Sequence, residues 1–385
     1  MYEFFKDLGI LIITAEVFSL LARKIKAPQV VGQIAAGLIV GPCVLGLVET
    51  SDTISVFAEM GVILLMFSTG LDTNLKQLLK AGPIAFLVAC MGVIVPLILG
   101  YLTYGLFYGF GAVGSDLFYK GLFMGTIITA TSVSITVAAL KELGKLSEFT
   151  ATTIVSAAVI DDVIGIVLLT CVNGSGSGSD VGSVLVSTFL FFLMAIGVGF
   201  IIFYLMKKLD ARYPRTHRLS ILSVGFCFLM AYVAENYFGI ADITGAYCAG
   251  VILCSINDSH YVESKVETTN YLFFAPLFFA SIGLKTDISG FNSSVLLFSI
   301  VFIVVALLSK IAGCGLAAKI CKFSNEDALK VGVGMMTRGE VALIVAQKGL
   351  AAGKVDSIFF TTVILLILVS SIITPVILGK LYKNA

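Results

Sequence analysis

Charge is what this 385-residue chain has least of: Asp, Glu, Lys and Arg together make up 13% of it, against about 25% in an average soluble domain. With 58% of the residues hydrophobic, no water-facing fold could hide the apolar surface, so a soluble globular domain is excluded and the lipid bilayer is the expected solvent. Neither sign is in excess. The net charge of +1 implies no nucleic acid or other polyanionic partner. Histidine is nearly missing; His217 and His260 both fall in polar connections and read as solvated loop residues rather than pH sensors. A disulfide framework is also lacking. Seven of the eight cysteines lie within or at the edges of apolar stretches and Cys321 sits in a lysine-rich loop, which fits free thiols used as small apolar fillers. No cleavable signal peptide is expected, because the first apolar stretch has no basic leader and runs into Arg23, Lys24 and Lys26 instead.

What the chain does have is long apolar runs. A spanning helix needs about 20 mostly apolar residues, and such stretches are predicted at 5–22, 28–48, 54–71, 82–109, 120–140, 149–173, 181–206, 219–237, 241–256, 269–284, 293–318, 326–350 and 357–379. The eighth to tenth are short or weakly separated, which leaves a count of twelve open beside thirteen. Segment 173–180, "NGSGSGSD", reads as a flexible loop. Of the 25 basic residues, 18 fall in alternate loops and the C-terminal tail, from Arg23 to Lys383, and 5 on the opposite side. Basic residues stay cytoplasmic, so the expected topology in the inner membrane has the N-terminus outside and the C-terminus in the cytoplasm.

The chain also repeats itself. Gly32-Gln-Ile-Ala-Ala-Gly37 reappears as Gly245-Ala-Tyr-Cys-Ala-Gly250, and Gly70-Leu71 as Gly283-Leu284, all at an offset of 213. Further on, Thr129-Ala-Thr-Ser-Val133 faces Thr337-Arg-Gly-Glu-Val341 at an offset of 208. Six spans, a linking seventh and six more put the second half into the membrane from the opposite side. The expected fold is therefore an all-α polytopic membrane protein of two inverted six-helix repeats, a design of carriers with the binding site where the repeats meet near midplane.

A charge at lipid depth is costly, at least about 2.5 kcal/mol, so each one needs a reason. Asp161 and Asp162 stand in the middle of the sixth span with no polar neighbour for several residues. Adjacent side chains on a helix point ~100° apart, so one acid can be held by a cation while the other faces a cavity and trades protons. Lys310, in the eleventh span, is the natural cationic partner. The fifth span carries six hydroxyl residues from Thr126 to Thr136, and the twelfth has glycines with Arg338 and Glu340 at matching positions. Both are expected to be broken helices crossing near midplane, their freed oxygens suited to a small cation. Arg338 and Glu340 either neutralise each other or the half-helix ends, or take part in transport; both readings stay open at this stage. Glu16 and Glu235, near span ends, suggest a subunit contact or a hydrated edge.

"VVGQIAAGLIVGPCVLG" (30–46), "TATSVSITVAALKELGKL" (129–146), "AAVIDDVIG" (157–165), "SKIAGCGLAAK" (309–319) and "MTRGEVALIVAQKGL" (336–350) occur in an order that resembles the NapA-type sodium/proton antiporters of the second monovalent cation:proton antiporter family. The resemblance implies a homodimer whose protomers combine a dimerisation domain (1–80 and 211–290), a linker helix (177–210) and a moving core (81–176 and 291–385). By the same resemblance Asp162 matches the ion-binding aspartate and the ligand of Na⁺, Asp161 the aspartate that pairs with a lysine, and Lys310 that lysine. Thr131 and Ser132 match polar residues of the first broken helix, and Glu340 a glutamate beside the site. Arg338 is grouped with Lys310 and Glu340 as a charge partner. No cofactor is implied, Na⁺ and H⁺ being substrates, and no enzymatic activity. Related potassium-efflux proteins carry a nucleotide-binding domain after the membrane part; here the sequence ends at Ala385, and nucleotide or thiol gating is not expected.

These readings converge on competition of Na⁺ and H⁺ at Asp162, electrogenic by analogy with the branch that carries the acid pair and the lysine. The rivals are a potassium/proton antiporter or pH-gated potassium channel of the same fold, a sodium-coupled symporter for an organic solute, and an intramembrane aspartyl protease. The last needs its two acids on different helices, and here they are neighbours on one.

Overall fold

In the computed structural model, residues 2–24, 29–173, 181–214, 216–285, 293–351 and 353–383 are described. The Gly/Ser loop from 174 to 180, together with Lys26 and Arg215, lies outside them, as do the side chains of Glu340 and Lys348. The helices are α1 (Tyr2–Lys24), α2 (Gln29–Val40), α3 (Asp52–Leu71), α4 (Leu75–Tyr108), α5 (Asp116–Thr129), α6 (Val133–Glu142), α7 (Phe149–Asn173), α8 (Val181–Arg212), α9 (His217–Phe238), α10 (Asp242–Leu253), α11 (Ser259–Thr269), α12 (Ala275–Leu284), α13 (Ser293–Ile320), α14 (Asn325–Gly334), α15 (Glu340–Ala351) and α16 (Ser357–Lys383). A π-helical turn, Asn270–Phe274, joins α11 to α12.

Local chemistry sets the ends. Ser51, Ser115 and Ser324 cap α3, α5 and α14 by accepting the N–H of Ile54, Phe118 and Asp327, satisfying donors a helix start leaves free. Gly239 ends α9 in the left-handed conformation, φ 65°, which glycine adopts without strain. The second span is shorter than the predicted 28–48. Its helix stops at Val40, and Gly41 to Val48 fold back with Leu47 and Val48 donating to the Val40 carbonyl. Pro42 brings no N–H to continue the helix, a signal the apolar run masked.

Taking α5 with α6 and α14 with α15 as single interrupted crossings, and α11 as a surface helix, the described residues make thirteen crossings rather than twelve. Among the described residues, eight helical stretches are by themselves long and apolar enough to cross a membrane, Asp116–Glu142 among them; of the rest, α1 is a continuous 23-residue helix and the others are short or broken. α4 packs on α5, α7 and α13, and α13 also on α14 and α16. In a second group α3 packs on α10 and α12, α1 on α2 and α12, and α9 on α10 and α8.

The sequence repeat is realised as contact. A methyl added to Gly37 or Gly283 would run into the facing helix, α12 or α2, and one added to Gly70 or Gly250 would run into α10 or α3. The Gly37–Gly283 approach becomes the Gly250–Gly70 approach when the 213-residue offset is applied to each partner. Equivalent residues thus make equivalent contacts, which is what a two-fold pseudo-symmetric pair of repeats requires.

Candidate functional site

The fifth and twelfth spans are both broken. Between α5 and α6, Ala130 to Ser132 leave the helix, Ser132 with φ −103° and ψ 104°; between α14 and α15, residues 335 to 339 do so. The breaks lie against each other. The Ser132 N–H donates to the Thr337 carbonyl at 2.9 Å, Thr131 Oγ1 donates to the Met335 carbonyl at 3.4 Å, and Thr136 Oγ1 donates to the Gly334 carbonyl at 2.8 Å and lies 3.1 Å from Thr337 Oγ1. At the crossing Gly339 has no side chain because a methyl there would meet Ser132 Oγ and Cβ. Of the two expectations for the hydroxyl run, interruption and back-bonding in a continuous helix, the interruption holds at 130–132. Thr126 and Thr129 do bond back, to the Leu122 and Thr126 carbonyls of the last turns before it.

Beside the crossing, α7 brings Asp161 and α13 brings Lys310. Lys310 Nζ donates to Asp161 Oδ1 at 2.9 Å, with the two side chains 0% and 1% exposed. An ion pair this dry is held by geometry and not by solvent. Asp162, the next residue, is also buried and, one residue round the helix, points away from its neighbour by ~100°. Thr131 and Ser132 are buried as well. The structure therefore gathers Asp161, Lys310, Thr131, Ser132 and Arg338 at the crossing and on the helices beside it. The side chain of Glu340 falls outside the described residues, so whether it neutralises Arg338 lies outside them too.

Arg338 is fully buried. Its Nη1 donates to the carbonyl of Met336 at 2.8 Å and, at 3.4 Å, to those of Met335 and Thr337; its Nη2 donates to the Ala306 carbonyl of α13 at 3.1 Å. The guanidinium thus sits on the carbonyls that follow the α14 C-terminus, where a helix favours positive charge. Ser370 Oγ accepts the Arg338 N–H at 2.9 Å and Ser371 Oγ donates to its carbonyl at 3.3 Å.

Sequence reasoning named Thr136 only as the end of the hydroxyl run, and did not single out Ser370 or Ser371. The pair of serines in "LVSSIITP" was the available signal: adjacent hydroxyls inside an apolar span. A second set escaped it altogether. Lys141, at the end of α6, donates to Ser68 Oγ at 2.7 Å and Glu263 Oε1 at 2.8 Å and lies 3.3 Å from Glu267, tying the first broken span to α3 and α11. At the other end of α3, Glu235 gathers with Glu59 and Asp242, one carboxylate oxygen of each within 4.8 Å of the others. These acids are largely exposed, and exposed acids often gather without an ion.

The profile of the family described as "Sodium/hydrogen exchanger, transmembrane" matches residues 10–383. Full-length relatives include the "Probable Na(+)/H(+) antiporter GerT" of Bacillus cereus, 35% identical over 98% of this chain and 99% of its own. The "Na(+)/H(+)-K(+) antiporter GerN" of Bacillus cereus is 34% identical over 97% and 95%, and an Na(+)/H(+) antiporter of Enterococcus hirae 32% over 99% and 100%. In fold, the sodium proton antiporter MjNhaP1 of Methanocaldococcus jannaschii superposes with a TM-score of 0.78 at 16% identity, covering 100% of this chain and 98% of that one.

Proposed function

The chain belongs to the sodium/hydrogen exchanger family, and from that premise we propose that it is a secondary-active antiporter that extrudes Na⁺ in exchange for H⁺, electrogenic, with one carboxylate, Asp162, taking either ion in turn. The observation that carries the proposal is the buried Lys310–Asp161 pair at 2.9 Å, next in sequence to a second buried acid and beside two broken helices. A lone acid would serve as a site for either ion. A pair clamped by an internal ammonium adds a competitor: Na⁺ entering at Asp162 loosens the Lys310–Asp161 contact, and on release the contact re-forms. Thr131 and Ser132 supply hydroxyl oxygens, the hard ligands small cations prefer.

Alternating access is assigned to a core of 81–176 and 291–385 that slides past a dimerisation domain of 1–80 and 211–290, with 177–210 as the linking helix, in a homodimer. The packing of α4, α5, α7, α13, α14 and α16 on one another, and of α1, α2, α3, α9, α10 and α12 on one another, supports this division. The lysine-rich end is assigned to the cytoplasm and the N-terminus to the outside of the inner membrane. The core's travel must break the Lys141 ties to Ser68 and Glu263.

The test is proteoliposomes loaded with Na⁺ and a pH-sensitive dye. Wild-type protein is expected to acidify or alkalinise the lumen as the Na⁺ gradient is reversed, and Asp162→Asn to lose this flux by about 100-fold or more, since the neutral amide carries no exchangeable proton and no charge to hold a cation against it. Exchange that survives in Asp162→Asn overturns the assignment. A potassium-exchanging reading is favoured by one finding, the likeness to the Bacillus cereus Na(+)/H(+)-K(+) antiporter GerN. Running the same assay with Na⁺, Li⁺ and K⁺ in turn separates the two.

A further inference from the structure

Lys310 is fully buried in a helix pair packed closely enough to need an explanation. α4 and α13 approach so closely that a methyl on Gly313 of α13 would stand 2.5 Å from the Met91 carbonyl of α4. On the α4 side the opposing residue is Gly92. A methyl there would stand 2.7 Å from Cys314 Sγ, 3.3 Å from Lys310 Nζ and 3.7 Å from Lys310 Cδ. Cys314, one turn beyond Lys310 on α13, is itself fully buried with Sγ 3.6 Å from the Val88 carbonyl, so its sulfur has little room to swing away. The lysine stem therefore lies in a slot with Gly92 as its floor, Cys314 sulfur as one wall and Asp161 at its mouth. Among the described residues, the ionisable groups around the Lys310–Asp161 pair are Cys90 of α4, Cys314 of the lysine's own helix and Arg338 across the crossing, with Asp162 next to Asp161 in sequence.

We propose that Gly92 is a positioning residue of the exchange: the absence of a side chain there sets where the Lys310 ammonium rests and so how firmly it holds Asp161 against an incoming cation. The inference deepens the reading of the Lys310–Asp161 pair given above and rests on it. A residue that only fills space would, when enlarged, lower the amount of folded protein or the maximal rate. A residue that seats the internal competitor does something different. Pushing the ammonium off Asp161 removes part of what Na⁺ must displace, so the cation binds more tightly while the return step, which re-forms the pair, slows.

The experiment compares wild type, Gly92→Ala, Cys314→Ala and Gly92→Ala/Cys314→Ala in proteoliposomes, reading apparent KM for Na⁺ apart from maximal rate. Gly92→Ala is expected to lower the apparent KM about 3- to 10-fold and the maximal rate by a similar factor. Removing the sulfur gives the added methyl somewhere to go, so the double variant should return to within about 2-fold of Cys314→Ala. An unchanged KM in Gly92→Ala, or a fall in rate alone with no recovery in the double variant, overturns the proposal. A second reading needs no transport: melting temperatures of wild type, Gly92→Ala, Lys310→Gln and the pair. If the methyl acts through the lysine, Gly92→Ala costs clearly less in the Lys310→Gln background; additive losses overturn it. Should no cation drive proton flux in the wild type, the functional reading fails by itself, and the melting cycle still decides the role of Gly92.

Discussion

The two interrupted spans are equivalent by the repeat and unlike in chemistry. The break at 130–132 is closed by the Ser132 N–H and the Thr131 hydroxyl, joined by the Thr136 hydroxyl of α6, all donating to carbonyls at the other break. The break at 335–339 holds a permanent cation, Arg338, whose guanidinium occupies the carbonyls of Met335, Met336 and Thr337. At the 208-residue offset the position equivalent to Arg338 is Ala130. The acids follow the same division: Asp161 and Asp162 come from the first repeat, Lys310 and Arg338 from the second. The backbone is duplicated and, among the described side chains at the crossing, the charge is split; on the proposed exchange, the first half supplies the carboxylates a cation would bind and the second the cations that balance them. A symmetric pair of sites would hold two ions. The proposed exchange at Asp162 uses one such place, on the side of the first break.

The largest effect that could break this comparison lies at Arg338. Replacing it with Ala removes the guanidinium from four carbonyls in a dry interior, and although those of Met335 and Thr337 keep Thr131 and Ser132 as donors, that of Met336 loses its 2.8 Å donor; each hydrogen bond to a charged group is worth about 1.5–3 kcal/mol. Arg338→Ala is expected to lower the melting temperature sharply, and Arg338→Lys to recover only part, because an ammonium cannot make the guanidinium's forked contacts with the Met336 and Ala306 carbonyls. A Lys variant as stable as wild type would mean that charge alone, without the fork, holds the second break. At the other member of the comparison, Lys310→Gln leaves Asp161 buried beside an amide. It should cost about 3 kcal/mol in stability and reduce the charge moved per Na⁺ on a supported membrane, whereas Lys310→Gln with Asp161→Asn should regain much of the stability. Unaltered charge movement in Lys310→Gln removes the lysine from coupling. Smaller again is Thr136→Val, which takes one hydroxyl from the Gly334 carbonyl at the crossing. A loss of about 1–2 kcal/mol is expected, read from urea or thermal unfolding in detergent. No loss would mean that the backbone bond from Ser132 to Thr337 suffices.

Much of this was legible in the sequence because lipid makes polar residues conspicuous. Asp161, Asp162, Lys310 and Arg338 stand out against apolar neighbours; that Lys310 would meet one of the two acids followed from there being so few at its depth, while the choice of Asp161 over Asp162 came from the family resemblance. The hydroxyl run from Thr126 to Thr136 announced an interruption, and the repeated glycines announced the two-fold relation. What stayed hidden is contact that leaves no compositional mark. Gly92 reads as one more small residue in a 34-residue helix, and only the approach of α13 gives it meaning. That the Arg338 guanidinium rests on the carbonyls after α14 depended on where those carbonyls point, which no residue type encodes. Lys141 looked like an ordinary cytoplasmic lysine, because its partners Glu263 and Glu267 lie on α11, an amphipathic helix that a search for apolar stretches passes over.

The comparison extends to the lysine-rich end, where the broken spans again differ, and there the effects are smallest. α14 starts there on its own resources: Ser324 caps Asp327, and Asp327 faces Lys330 at 3.5 Å. α6 ends there tied to other helices through Lys141, and just beyond α3 lies Asp72. Burial pushes the Asp72 carboxyl above the usual aspartate range, the Glu263 charge pushes it the same way, and Lys141 and His260 oppose them. An acid raised in the folded state is better protonated there than in the unfolded chain. Its favourable contribution is therefore complete below the ordinary value of 3.8 and is lost as pH rises through the higher folded value. Asp72→Asn should accordingly flatten the pH dependence of the melting temperature on the acid side and leave the protein slightly more stable at neutral pH. Lys141→Gln should do the reverse, steepening that dependence by removing an opposing charge, at a cost of about 1 kcal/mol that shrinks with added salt. If both variants melt in parallel with wild type from about pH 4 to about pH 8, the end of α6 is not electrostatically coupled to α3, and the difference between the two broken spans is confined to the midplane.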